Sequence, residues 1–245
     1  VALADIKKFS GSEDVQLILV DMSLKSSIAE FVKEVKSKYD TIDVLIHNAA
    51  VFDLAQKETI QTEEGYESIW MTNHVGPVLL TTLLIELIKK SDDPRVLTVS
   101  SKGLLAMPRL KIDLEDPEFK HRKFTVTKAY YQAKRAQIMY TYWLAKEYAE
   151  CGITANSIRV PAVKVDISPH PNISSFMKWI YTQKSKKAIE PSKMAKTYTY
   201  LATSPEVKGI TGKYFDEHNQ EVKPNKYTYD WTSINNVMKL TKKYL

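Results

Sequence analysis

The chain has 245 residues, 44% hydrophobic and 26% charged, which suits one domain, residues 1–245, with a substantial buried core. Its 35 lysines and arginines outnumber 29 acidic residues, but they are scattered and no nucleic-acid motif accompanies them, which argues against a nucleic-acid partner. Cys151 is the single cysteine, so an internal disulfide is excluded. The lone cysteine also favours a reducing setting, so we expect a cytoplasmic protein. No apolar run reaches transmembrane length, so we expect no transmembrane segment.

Strands alternate with helices in the first half of the predicted chain. Residues 1–9 are expected to end a helix, and the apolar run 15–21 (VQLILVD) to form a strand buried on both faces. A helix is predicted over residues 23–39, with Ser23 as its N-cap, and a second buried strand over residues 42–47.

The second half continues the alternation. A long helix is predicted over residues 63–90, a strand over 95–100, a loop over 102–126, a helix over 127–150 and a strand over 153–160. Residues 161–190 are expected to be irregular apart from one amphipathic helix, followed by a helix over 191–203, a short strand over 213–216 and a closing helix over 230–245. This order predicts an α/β fold with a doubly wound parallel sheet, whose ligands bind at the carboxyl ends of the strands.

Tyr130 and Lys134 have the spacing Y-x-x-x-K, which places both on one helix face a turn apart. An ammonium near a phenol favours the phenolate and lowers the phenol's pKa from about 10, so the phenol can exchange protons nearer neutrality. The motif alone is weak, because about two matches are expected by chance in a chain this rich in tyrosine and lysine. The second match is Tyr142 with Lys146. The first is favoured because a Ser-Ser strand end precedes it and a buried strand follows its helix.

Five motifs in order resemble the short-chain dehydrogenase/reductase superfamily: Asp21 after the first apolar run, His47-Asn48-Ala49-Ala50, Asn73-His74-Val75-Gly76, Val99-Ser100-Ser101, and Tyr130 to Lys134. Three features resemble its retinol-dehydrogenase-like branch: Asn73-His74-Val75-Gly76, the long insertion between Ser101 and Tyr130, and Gly212-Lys213-Tyr214-Phe215. The resemblance implies a Rossmann-like fold and an NAD(P)(H)-dependent oxidoreductase that interconverts a carbonyl and an alcohol. It slightly favours NADP over NAD and suggests a homodimer.

The resemblance also implies a role for each matching residue. Tyr130 would exchange a proton with the substrate oxygen, and Lys134 would lower the pKa of that tyrosine and bind the nicotinamide ribose. Ser101 would donate a hydrogen bond to the substrate oxygen, and Asn73 would support a water-linked proton path. The cofactor would contact Asp21 through its adenine, and Asn48, Ala49, Ala50 and Val163 along its cleft.

The chain departs from that family in its glycines. The family opens with a strand and a Thr-Gly-x-x-x-Gly-x-Gly turn that binds the pyrophosphate at a helix N-terminus, whereas none of the seven glycines here forms such a turn. We therefore expect a domain that lacks the first strands and the glycine-rich loop, an N-terminally incomplete sequence, and weak or absent dinucleotide binding. Pro161-Ala162-Val163 replaces the family's Pro-Gly, and Asp166 stands where a hydroxyl is common.

Several residues also have simpler interpretations. Ile173, Phe176, Met177, Ile180 and Tyr181 form an apolar helix face that indicates a bulky apolar carbonyl or alcohol substrate, or else only packs on the core. Asn73 could be a buried amide satisfied by backbone, and the two serines an ordinary strand end. His47 and His74 lack the partners of a metal site and are interpreted as structural, so no metal is expected. The alternative function is a noncatalytic binding or regulatory protein of the same fold.

Overall fold

A central sheet of four parallel strands organises the computed structural model, which describes residues 2–164 and 188–245. Asp166 and the apolar helix face predicted at 173–181 lie outside these residues. The strands are β1 (Val44–His47), β2 (Arg95–Ser101), β3 (Thr154–Val160) and β4 (Lys213–Phe215). Their spatial order is β1-β2-β3-β4, and every pair runs parallel.

Helices cover both faces of this sheet. They are α1 (Ala2–Ser10), α2 (Lys25–Lys38), α3 (Ser68–Ile88), α4 (Val126–Glu147), α5 (Pro191–Thr203), α6 (Lys226–Tyr229) and α7 (Trp231–Thr241). Val96 and Ala155 belong to the core that includes α2, α3, α4 and α7, whereas Leu97 and Ile158 belong to a second core with α5. Successive residues of a strand therefore pack into the cores on opposite faces of the sheet. The predicted doubly wound α/β fold is confirmed.

The helix α3 is apolar almost all round because it is a core helix. By length and composition alone it could cross a membrane, so the prediction that no apolar run has this length was wrong. Within the described part of the chain, 83% of its most apolar stretch is buried. Length and composition alone therefore do not make α3 a membrane span.

Residues 15–21 do not form the predicted strand. They have no regular secondary structure, and Leu17 and Leu19 are 63% and 83% exposed. A strand is stable only where a neighbour satisfies its N–H and C=O groups, and none of the four described strands pairs with this segment. The segment is as apolar as a buried strand, but no strand among the described residues lies beside it to accept and donate its backbone hydrogen bonds.

The N-cap predicted for the next helix was also wrong. α2 begins at Lys25, and its N-cap is Leu24, whose own side chain cannot accept a hydrogen bond. Ser23 instead donates its hydroxyl to the carboxylate of Asp21 at 2.7 Å. Glu64, from the loop before α3, supplies the missing acceptor: its carboxylate accepts the first N–H groups of α2, from Lys25 and Ser26, at 2.8 and 3.0 Å.

Candidate active site

The carboxyl end of β2 and the first half of α4 bring the predicted Ser-Ser pair and the Tyr-Lys pair together. Ser100 donates its hydroxyl to the carbonyl of Lys134 at 3.1 Å, and the ammonium of Lys134 donates to the carbonyl of Val99 at 2.8 Å. Both bonds cross from strand to helix. They fix the Y-x-x-x-K turn of α4 against the strand end, where ligands of a parallel sheet bind.

Lys134 is a buried cation in this site, 3% exposed. Burial lowers the pKa of its ammonium to about 8, so the group still carries its proton at neutral pH. The charge of Lys134 also affects His47. Burial first, and then the nearby Lys134 ammonium, lower the pKa of this imidazole to about 3. The neutral ring of His47 is hydrogen-bonded to Thr81 at 2.6 Å, which is a structural arrangement.

Tyr130 is covered by aromatic rings. Phe52 stacks on it with 4.1 Å between ring centroids, and Tyr131 meets it edge-on at 5.2 Å. Burial, and then the nearby phenols of Tyr131 and Tyr198, raise the pKa of Tyr130 well above its ordinary value. The sequence predicted a lowered pKa, and the structure shows the opposite direction. The reason is geometric: the lysine ammonium, 5.7 Å from the ring centroid, donates to the strand, while the phenol is desolvated.

Ser101 begins the turn that follows β2 and contacts a second tyrosine. Its hydroxyl accepts the N–H of Gly103 at 3.1 Å. Burial raises the pKa of Tyr131, and the nearby hydroxyl of Ser101 partly opposes that rise. A Cβ at position 103 would come 2.0 Å from the hydroxyl oxygen of Tyr131, so only glycine lets the ring reach this place. Tyr131, predicted to be a packing residue, therefore also contacts the candidate catalytic serine.

Asn73 lies in a π-helical segment, Met71–Val75, inside α3. Its side chain is fully buried, donates to the carbonyl of Val51 at 2.9 Å and accepts the N–H of the same residue at 2.7 Å. Here it is the buried amide satisfied by backbone that the sequence left open, and it anchors the loop after β1. Such π segments recur at functional sites.

The predicted cofactor residues separate into two groups. Asn48, Ala49 and Ala50 are exposed at the carboxyl end of β1, where the hydroxyl of Tyr198 donates to the Asn48 side chain at 3.0 Å. Val163 pairs with Ile189 in an isolated parallel bridge beyond β3.

Asp21 does not follow a strand, contrary to the prediction. Its carboxylate accepts from Ser23, and its own N–H donates to the hydroxyl of Ser27 at 2.9 Å. The prediction failed because it assumed that residues 15–21 are a strand ending at this edge of the sheet. The hydrogen bonds of Asp21 are instead local to the start of α2.

A nicotinamide dinucleotide is the cofactor that the resemblance implies, and the described residues fit one end of it. The exposed loop 48–50 and the ammonium of Lys134 lie at strand ends, where a nicotinamide and its ribose would be held. The pyrophosphate end requires clustered glycines before a helix, and the glycines of this chain are isolated apart from Gly209 and Gly212. The fit is therefore partial.

The second Y-x-x-x-K match has a packing role. Lys146 places its ammonium 4.5 Å from the ring centroid of Trp231 on α7, a cation–π contact. His74 is likewise structural: it bonds Thr241 at 2.8 Å, and burial lowers the pKa of its ring to about 3. In the part of the chain that the structure describes, no three His, Cys, Asp or Glu side chains are arranged to hold a metal.

Phe52 and Tyr198 are site residues that sequence reasoning missed. Phe52 lies in an irregular loop and Tyr198 on α5, far along the chain, so neither carries a periodic or motif signal. The one signal for Phe52 was its position, because it follows His47-Asn48-Ala49-Ala50 closely and a loop after a strand end borders the ligand cleft.

Known proteins resemble this chain in sequence and in fold. Residues 2–109 match the sequence model of the short chain dehydrogenases. Retinol dehydrogenase 13 of Mus musculus is 30% identical over 88% of this chain and 64% of its own length, so the chain spans less than two thirds of that relative. Polyprenol dehydrogenase of Homo sapiens is 30% identical over 93% of this chain and 68% of its own length.

Among solved structures, a short chain dehydrogenase from Escherichia coli CFT073, complexed with NADPH, has a TM-score of 0.62 at 19% identity, and the match covers 88% of this chain and 79% of that one. At this identity the likeness shows the fold. Together with the sequence relatives and the motifs above, it establishes that the chain belongs to the short-chain dehydrogenase/reductase family, in its retinol-dehydrogenase-like branch.

Proposed function

We propose that this chain carries the proton-transfer site of an NAD(P)(H)-dependent oxidoreductase that interconverts a carbonyl and an alcohol. The observation that carries the proposal is the convergence of Ser101, Tyr130 and Lys134 at the carboxyl end of β2, with the lysine proton buried there. Family membership supports the same reaction class.

Tyr130 is the proposed general acid in reduction and general base in oxidation. Lys134 keeps its proton to about pH 8 and stands one helical turn away, so at neutral pH it places a cation near the proposed acid. The hydroxyl of Ser101 would donate to the substrate oxygen and stabilise charge that develops on it. Asn73, fixed on the backbone of Val51, would border the proton path behind Lys134. When bound, the nicotinamide supplies or accepts the hydride.

The proposed cofactor contacts are Lys134 and Tyr130 on the nicotinamide ribose, with Asn48, Ala49, Ala50 and Val163 along the cleft. Asp21 at the adenine has the least support, because it does not lie at a strand end. NADP is favoured slightly over NAD: the resemblance leans that way, and the Escherichia coli structure holds NADPH.

The proposed substrate is a bulky apolar carbonyl compound or alcohol. Two relatives are named for apolar alcohols, retinol and polyprenol, which supports this class. A cytoplasmic location is proposed because the lone Cys151 suits a reducing compartment, and cell fractionation tests it. A homodimer is proposed on the family resemblance alone, and sedimentation equilibrium tests it.

Paired tyrosine variants of the full-length protein test the function. Tyr130→Phe should lower kcat/KM for reduction of an apolar aldehyde by NADPH at least ~100-fold, since it removes the general acid. Tyr142→Phe, in the second Y-x-x-x-K match, is the control and should change it little. Equal activity of the two variants would refute the assignment of Tyr130.

A noncatalytic binding protein is the second candidate, favoured by the Phe52 ring stacked on Tyr130. A wild-type protein that binds NADPH but reduces none of a panel of apolar aldehydes would support this candidate. Measurable turnover that depends on Tyr130 would exclude it.

A further inference from the structure

A small cavity of about 80 Å³ borders Ser101 on the side of α4 and of the chain that leads into α6. Its polar lining includes Ser101, Arg135, Arg159, Tyr214 and Lys223 beside the uncharged Asn225 and Thr228, and its apolar lining includes Ile138. Three of these side chains are cations, and no carboxylate lines the cavity among the described residues. A pocket with this lining attracts negative charge.

Arg135 is the most informative of these residues, because it is a buried charge and no carboxylate of the described residues pairs with it. It is 2% exposed, and in this part of the chain its one hydrogen bond runs from Nη2 to the carbonyl of Met107 at 2.9 Å. Its Nε and Nη1 groups find no partner within residues 2–164 and 188–245. Buried arginines are normally paired with carboxylates, so this guanidinium has unused donors in a residue that lines the cavity.

Arg159 and Tyr214 add two further donors. Arg159 is held by Asp216 at 3.3 Å through Nη2, but its Nε is buried without a partner in the described chain. The hydroxyl of Tyr214, a residue 3% exposed, has none either. Burial raises the pKa of Tyr214 to about 12, although the nearby Ser100 hydroxyl and the two arginines oppose the rise, so the phenol keeps its proton. Unsatisfied buried donors on three neighbouring residues indicate a common acceptor.

The size of the cavity and its border with Ser101 restrict that acceptor. Arginine is suited to planar carboxylates, whose oxygens accept several N–H groups at once. Ser101 lines the cavity and is also the proposed contact of the reacting oxygen, so a ligand group in this cavity lies next to the reaction centre. The apolar wall at Ile138 suits a hydrocarbon body between the two ends.

We propose that this cavity is a carboxylate subsite, and that the substrate is an apolar carbonyl compound or alcohol that also carries a carboxylate. The assignment of the carboxylate to the substrate rests on the proposed function, whereas anion binding by the cavity does not. Retinol, for which one relative is named, carries no carboxylate. The proposed preference for a carboxylate therefore rests on the arginines of this chain alone.

Binding measurements without turnover test the subsite. Titrating benzoate into the full-length protein, followed by calorimetry, should show binding that the neutral benzyl alcohol does not reproduce. Arg135→Gln should weaken benzoate at least ~tenfold, about the loss of one charge-assisted hydrogen bond. Arg109→Gln, which removes an exposed arginine outside the cavity, should leave it unchanged. Benzoate affinity that is equal in the two variants would overturn the proposal, as would inorganic phosphate binding more tightly than benzoate.

Tyr214→Phe protects the test against misfolding of the arginine variant, because it removes a single donor and keeps the ring. It should weaken benzoate by several-fold. Kinetics link the subsite to the reaction. The wild-type protein should have a higher kcat/KM for 4-carboxybenzaldehyde than for 4-methylbenzaldehyde, and Arg135→Gln should reduce the ratio of the two values at least ~tenfold. Benzoate binding without turnover of either aldehyde would contradict the proposed oxidoreductase function but would still support the anion site.

Discussion

At the residue scale, the environment of Tyr130 opposes the chemistry that its motif implies. A phenol next to a protonated lysine should ionise more easily, yet the stacked ring of Phe52 and the surrounding protein remove water from Tyr130. Lys134 does not compensate, because its ammonium donates to the carbonyl of Val99. Desolvation therefore outweighs the charge, and the ring of Phe52 is the part of that desolvation that a substitution can remove.

Phe52→Ala should lower the pKa of Tyr130 toward its ordinary value, because water then reaches the phenolate and stabilises it. The measurement is a pH titration of ζ-¹³C-labelled tyrosine by NMR, with Tyr130→Phe identifying the resonance. Phe9→Ala is the control, since Phe9 is 87% exposed and lies on α1. A titration curve of Tyr130 that is the same in the two alanine variants would show that Phe52 does not cause the raised pKa.

The motif residues of the site could be predicted, and the residues around them could not. Tyr130, Lys134 and Ser101 were predicted because their spacing and order are local properties of the sequence, and the structure brings them to one strand end. Phe52 was not found because the path of an irregular loop depends on tertiary contacts, here the anchoring of Val51 by Asn73. The unpaired charge of Arg135 depends on which side chains surround it, and the sequence does not give that.

At the element scale, apolar runs predicted strands well wherever a neighbouring strand exists. Residues 95–101 and 154–160 form β2 and β3 much as their composition indicated. Residues 15–21 have the same composition and form no strand, because composition records burial preference and not the partner that a strand needs. The π segment in α3 was also beyond prediction, since an inserted residue does not disturb an apolar pattern that continues all round the helix.

Glu67 at the start of α3 makes the stability of that helix depend on pH. It is fully buried, and its carboxylate accepts the N–H groups of Ile69 and Trp70. Burial raises its pKa from 4.5 to about 7, those two bonds oppose the rise, and the charge of Glu118 adds to it. The folded state therefore binds more protons than the unfolded state between pH 4.5 and about 7, so this contribution to the free energy of unfolding decreases as pH rises through that window.

Glu67→Gln should remove that decrease, because the amide keeps an oxygen to accept the helix N–H groups and carries no charge. The shift corresponds to at most about 3 kcal/mol across the window. Urea unfolding at a series of pH values measures it, with Glu63→Gln, an exposed neighbour, as the control. If the Glu67 variant keeps the slope of wild type, the carboxylate of Glu67 is already ionised below neutrality and the pKa assignment is wrong.

At the scale of the whole molecule, the edge of the sheet next to β1 is open in the described chain. β1 pairs on one side with β2, and an apolar groove of about 310 Å³ lies along it between residues of α2, β1 and α3. Asn48 and Ala49, at the carboxyl end of β1, also line this groove. The nicotinamide end of a dinucleotide thus has strand-end residues to contact, whereas its pyrophosphate has no glycine turn to receive it.

This division predicts how the 245-residue polypeptide binds fragments of the cofactor. NADPH should bind more weakly than micromolar, and reduced nicotinamide mononucleotide should bind about as well, because the second phosphate and the adenosine gain no contacts. Fluorescence titration of both ligands measures this, and Asn48→Ala should weaken the two equally, with Asn235→Ala, an exposed amide on α7, as the matched control. Micromolar NADPH that binds far more tightly than the mononucleotide would mean that a phosphate site exists in these residues without clustered glycines. Backbone N–H groups of a segment without clustered glycines would then have to form this phosphate site.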